Sequence, residues 1–164
     1  MAAPSETEDP PKEDSGTRWY VVLLHVIAVG VALAALGAFF YFALRFTLSP
    51  IDDHGQAGGN TDPGRSLRFY LDRPAKEALV QVGGNLILLA PLGVLLPVVS
   101  TRMRGPVRLA LVGAVVSLMI ETVQGTVVLG RAFDVDDVIL NTVGVVLAYL
   151  LIGRKTSRLL RGRS

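Results

Sequence analysis

The sequence predicts an all-α integral membrane protein, a bundle of about four transmembrane helices. Of its 164 residues 51% are hydrophobic, and the 16 basic and 14 acidic residues are excluded from a few long stretches instead of being interspersed. The clearest stretch, WYVVLLHVIAVGVALAALGAFFYFAL at residues 19–44, has no Lys, Arg, Asp or Glu. As a helix it is long enough to cross a hydrocarbon core of roughly 30 Å. A soluble helix of that length would carry charge along the face that meets water.

The elements follow in order. Residues 1–18, rich in Pro, Ser and acidic side chains, have too little apolar surface to fold and form a disordered N-terminal tail. The first helix, 19–44, reads as a retained anchor and not as a cleaved signal. It is too long for a signal core, and its N-terminal flank is acidic, with Glu6, Glu8, Asp9, Glu13 and Asp14. Residues 45–77 are the one long loop. Its first half, SPIDDHGQAGGNTDPG, is turn-rich; its second, RSLRFYLDRPAKEAL, places Leu67, Tyr70 and Leu71 on one side of a short interfacial helix with Arg65, Arg68 and Arg73 toward head groups.

The second helix, 78–99, contains Pro91 and Pro97, which should kink it. A short basic connection, STRMRG at 100–105, leads to the third helix, 106–129. The fourth, 136–153, is the shortest and is expected to cross with little tilt. Residues 19–153 thus form the transmembrane domain, and 154–164 a basic C-terminal tail that suits anionic lipid head groups and not nucleic acid. Gly83, Gly84, Gly93, Gly113, Gly125 and Gly144 offer close backbone approach where lipid gives no hydrophobic drive for packing. The chain has no cysteine, which excludes disulfides, thiolate chemistry and Cys metal sites.

With four spans, the N-tail, the 100–108 segment and the C-tail share one side and hold ten Lys and Arg, against six on the other. The positive-inside tendency then makes both termini cytoplasmic and turns the long loop and the 130–135 connection outward.

Four intramembrane polar residues matter most. Counted from the loop side at 1.5 Å per residue, Asn85 lies roughly 10 Å deep, Glu121 roughly 12 Å, Gln124 about 8 Å and Asn141 roughly 6 Å. All fall in one half of the bilayer. A charged carboxylate there costs several kcal/mol unless paired, protonated or wetted, so Glu121 is the sharpest functional candidate, with Arg131 on the following connection as its partner. The plainer reading makes Glu121, Gln124, Asn85 and Asn141 interhelical glue. Arg131, Asp134, Asp136 and Asp137 crowd the entrance to the fourth helix, where Asp134 or Asp136 can cap its first turn. Asp137, Asn141, Gly144 and Ala148 fall at i, i+4, i+7 and i+11, a polar-to-small stripe suited to close packing or to a narrow slot leading toward Glu121.

The runs GGNLILLAPLGVLLP, SLMIETVQ and RAFDVDDVILNTVGVVLAYLL resemble the VanZ-like family in content and order. That family's pattern falls on Asn85, Pro91, Gly93, Glu121, Gln124, Arg131, Asp134, Asp137, Asn141 and Gly144, within a likeness covering about residues 45–153. The resemblance implies a membrane bundle in a bacterial plasma membrane, acting in envelope biology, since the family's namesake is associated with resistance to glycopeptide (teicoplanin-type) antibiotics.

The functional expectation is a site for a lipid-linked anionic head group at the outer membrane face. Arg131, with the basic residues of the 65–76 segment, would hold phosphate through paired hydrogen bonds, and Glu121 would sit below as a proton acceptor. Asp134 and Asp137 would orient Arg131 or hold a divalent cation against the phosphate. The binding set is therefore Asn85, Glu121, Gln124, Arg131, Asp134, Asp137 and Asn141, with Glu121 the candidate for any catalysis. The expected partners are membrane lipids, a lipid-linked cell-wall precursor or a glycopeptide, with no nucleic acid; oligomerisation stays open, and the sequence names no cofactor. His25 and His54, the only histidines, lie on the anchor helix and in the loop, and Ser117 is expected to bond back to its own helix. The competing expectation is a membrane scaffold.

Overall fold

A computed structural model describes residues 15–48, 59–128 and 131–159. The N-terminal tail up to residue 14, the turn-rich segment 49–58 and the last five residues lie outside the described residues, as does His54. Among the described residues there is no strand, and four helices are long and apolar enough to cross a membrane: Val22–Arg45, Ala75–Val99, Pro106–Val127 and Val135–Leu159. The chain is an all-α bundle and a multi-pass membrane protein.

Helix α1 (Ser15–Thr47) is apolar all round, and most of its large side chains, Leu24 and Phe42 among them, are exposed to what would be lipid. It touches the bundle through Ala32, Leu36, Phe39 and Ala43, spaced at i, i+4, i+7 and i+11, a single seam of the kind that docks one helix face. After the loop come the short α2 (Arg65–Leu71) and the second span, which is divided into α3 (Ala75–Leu88) and α4 (Ala90–Val99). The division has a covalent cause. Pro91 has no N–H to give, and its ring would strike the carbonyl of Ile87, so the helix breaks at Leu89 (φ −101°, ψ 0°) and restarts through Leu92 N–H donating to Leu89 O at 3.0 Å. Pro97 lies inside α4 without ending it.

A 3₁₀ turn at Thr101–Met103 leads to α5 (Pro106–Val127), which begins with Pro at its first position, where the missing N–H is not needed. Helix α6 (Val135–Ala148) runs on through a π-helical turn, Tyr149–Gly153, into α7 (Arg154–Leu159). The fourth span therefore has 25 residues, and the 22-residue third is the shortest. The basic residues after Gly153 do not stop the helix, because cations favour a helix C-terminus and their long stems reach the interface.

Helix α6 is the centre of the bundle and packs on α3, α4 and α5, while α1 lies along α4. Its backbone contacts depend on missing side chains. A Cβ on Gly144 would overlap the Leu86 carbonyl, one on Gly93 would overlap the Val145 carbonyl, and one on Gly153 would overlap the Gly93 carbonyl. Gly113 faces the Val145 side chain, where a Cβ would meet it at 3.1 Å. Gly84 has nothing within 4 Å and Gly83 meets only Leu79 of its own helix, so neither makes the interhelical approach expected of it. The buried apolar core, including Leu89, Leu92, Leu109, Ile120 and Val145, fills the middle and leaves polar chemistry to the loop end.

Candidate functional site

At the loop end, α5 turns Ser117, Glu121 and Gln124 inward at i, i+4 and i+7, all at most 4% exposed. Opposite them, α6 presents Asp137 and, one turn deeper, the fully buried Asn141. Asn141 Nδ2 donates to Ser117 Oγ at 2.9 Å, tying α6 to α5, so the Ser117 hydroxyl is engaged across the helix interface. Asn85 Nδ2 donates to Asp137 Oδ1, tying α3 to α6. The slot allowed by the Asp137 to Ala148 stripe is closed below Asn141, where Gly144 packs against the backbone at Leu86.

The connection after α5 folds back over this cluster. Gly125 makes the fold-back possible, since a Cβ there would come within 2.8 Å of the Phe133 nitrogen. Asp134 caps α6, its carboxylate accepting the Asp136 N–H at 2.9 Å, the plain role expected of one of these acids. Glu121 accepts the Asp134 backbone N–H at 3.2 Å. Arg131, its expected partner, lines the same cavity and acts on Glu121 through its charge, while the hydrogen bond to the carboxylate comes from the Asp134 N–H.

Asp136 does something the sequence does not reveal. Only 4% exposed, its carboxylate receives the N–H groups of Gly64 (2.5 Å), Ser66 (2.8 Å) and Leu67 (3.1 Å), and it therefore caps α2 from across the molecule. Gly64, with φ +87°, supplies the left-handed turn that points these donors at it. Asn60 completes the anchor. Its side chain donates to Ser66 Oγ and Asp134 Oδ1, both at 2.9 Å, and its backbone bridges the connection through Phe133 O (2.7 Å) and the Val135 N–H (3.0 Å). Within its own loop Asn60 reads only as a turn residue, its Oδ1 accepting the Asp62 N–H at 3.0 Å.

The result is a cavity of about 200 Å³ under α2. Glu121, Gln124, Arg131, Asp134 and Asp137 line it together with Asn60, Arg65, Ser66, Phe69, Tyr70 and Gln81, which sequence patterns do not single out as a group. Asn85 and Asn141 support it from behind through Asp137 and Ser117. Of the interfacial arginines, Arg65 faces the cavity, whereas Arg73 lies 4.6 Å over the Phe69 ring and 3.9 Å from Glu77. Buried Nε of Arg131 has no hydrogen-bond partner among the described residues.

No group of three or more His, Asp or Glu side chains arranged to hold a metal occurs among the described residues. Asp134 is occupied with its cap and Asn60, and Asp137 with Asn85.

A model of the VanZ/LLP1 family matches residues 29–156, more than three quarters of the chain and every residue that lines the cavity. The chain belongs to the VanZ/LLP1 family. Searches of curated proteins and of solved structures return no match. Placed on the fold, the VanZ-like pattern divides by task. Asp134 caps, Asp137 and Asn141 cross-link spans, and Gly144 admits a neighbouring backbone, while the buried Nε–H of Arg131 is used by no bond among the described residues.

Proposed function

We propose that this VanZ/LLP1 protein binds the anionic head group of a lipid-linked cell-envelope component in the cavity beneath α2, at the outer face of a bacterial plasma membrane. The unpartnered, buried Nε–H of Arg131 carries the reading. A buried charged donor without an acceptor is costly, and a phosphate or carboxylate entering the cavity supplies one. Arg65 lines the same cavity as a second cation, and Ser66 and Gln81 add polar groups. Glu121, Asp134 and Asp137 each accept a hydrogen bond from elsewhere, which fixes their carboxylates around the cavity.

Binding without turnover fits the site better than hydrolysis or transfer. Ser117 is fully buried and bonded to Asn141, and His25 lies toward the opposite end of α1. The link to glycopeptide tolerance comes from the family's namesake: a protein that occupies or masks an envelope lipid changes the surface the drug meets. A scaffold is the second reading, favoured by the Asn85–Asp137 and Asn141–Ser117 cross-links.

Cells expressing wild type, Glu121→Gln or Arg131→Ala at matched membrane abundance separate the two. Loss of tolerance to a teicoplanin-type drug with abundance maintained supports a working site. Tolerance that is unchanged in both variants removes the envelope link and favours the scaffold.

A further inference from the structure

A second concavity lies in the loop-side half of the bundle, between the end of α1 and α5. Phe40, Leu44 and Leu48 form one wall and Val116, Ile120 and Val123 the other, enclosing about 260 Å³ with almost no polar surface. Helix α1 follows α4, α3 departs with α6, and α5 also lies on α6, so in this half α1, α3 and α5 scarcely touch one another. Eight residues of helical rise from Phe40 to Leu48 give a groove of about 12 Å. One leaflet's share of the hydrocarbon core is roughly 15 Å.

Water does not fill such a space, because it needs two or more polar partners. Hydrocarbon does. The groove also adjoins the polar cavity residue by residue: Ile120 and Val123 face the groove while Glu121 and Gln124, their immediate neighbours on α5, face the cavity at the same depth. We propose that this groove seats one hydrocarbon chain of the same lipid whose anionic head group the cavity holds, so that the ligand reaches the protein sideways from the bilayer and is gripped on both sides of α5. The inference rests on the head-group reading and extends it from a head group to a whole amphiphile, with Val116, Ile120 and Val123 as the residues that select the chain.

The test uses the full chain in phosphatidylcholine nanodiscs. Trp19 is the sole tryptophan, so Trp19→Phe with Val123→Trp puts one fluorescent reporter in the groove, and Leu44→Trp puts a second on the opposite wall. Chain-brominated phosphatidic acid is compared with chain-brominated phosphatidylcholine at equal mole fraction, since bromine quenches only tryptophan it touches. Quenching by the phosphatidic acid is expected to be several-fold stronger at either groove reporter. Arg131→Ala should abolish the difference, and no difference should appear for Leu24→Trp, an exposed position at the far end of α1. Equal quenching by the two lipids at both groove reporters overturns the proposal.

Binding of dihexanoyl phosphatidic acid, whose chains are too short to fill the groove, separates the two levels. If it binds wild type but not Arg131→Ala while quenching shows no preference, the tail assignment alone fails. If it does not bind at all, the head-group reading fails and the groove proposal with it.

Discussion

Arg131 and Asp134 stand three positions apart in one family signature, yet they meet different demands. The Asp134 carboxylate is used twice, by the Asp136 N–H and the Asn60 amide, and any short acceptor at a helix start would attract the same donors. The buried Nε–H of Arg131 has no such use among the described residues. Glu121 is intermediate: its hydrogen bond to the Asp134 N–H can be made equally by a neutral amide. Glu121→Gln is accordingly expected to change stability by no more than about 1 kcal/mol, measured by thermal unfolding in detergent, so any loss of ligand binding in that variant reports function. Asn141→Ala should do the reverse. It removes the Ser117 cross-link at a cost on the order of 1 kcal/mol and leaves head-group affinity unchanged.

At the scale of elements, α2 is a short helix that cannot hold itself in place, since seven residues are too few for a stable isolated helix. Asp136 fixes it over the cavity from 70 positions away in sequence. Asp136→Ala is expected to speed amide hydrogen exchange at Ser66 and Leu67 by about tenfold, the loss of one net hydrogen bond's worth of protection, while α5 and α6 exchange as before. The central packing is tested by contrast between glycines. Gly144→Ala drives a Cβ into the Leu86 carbonyl and should destabilise by about 1–3 kcal/mol or more, whereas Gly84→Ala enters open space and should be neutral in the same unfolding assay. The number and order of spans were readable because a hydrocarbon core demands charge exclusion over about twenty residues, and a helix with one face in water does not. The break at Leu89 was readable as a kink from Pro91. The continuation of α6 into the basic segment was not, because Lys and Arg mark the end of a hydrocarbon core and not the end of a helix.

For the whole molecule, the clustering of Asn85, Glu121, Gln124 and Asn141 at one end followed from counting residues along antiparallel helices, which needs no knowledge of side-chain contacts. The roof of the cavity was different. Asn60 and Asp136 form it through bonds spanning as many as 76 positions, and nothing in a local window distinguishes Asp136 from the capping Asp134 beside it. The same topology fixes which segments share a side. The chain has no cysteine, so Thr61→Cys and Arg102→Cys each give a single label site, exposed at opposite ends of the bundle. In intact cells a membrane-impermeant maleimide is expected to label the Thr61→Cys variant and to spare the Arg102→Cys variant, in line with the excess of basic residues beside the termini.

The most direct measurement is calorimetric titration of the purified protein in detergent with dihexanoyl phosphatidic acid, comparing wild type with Arg131→Ala and Arg131→Lys. Loss of a charge-assisted contact of about 1.5–3 kcal/mol corresponds to a roughly ten- to hundredfold weakening in Arg131→Ala, with partial retention in Arg131→Lys, which keeps the charge without the planar fork. Equal affinity in all three proteins, or no binding by wild type, would contradict a head-group site built on Arg131.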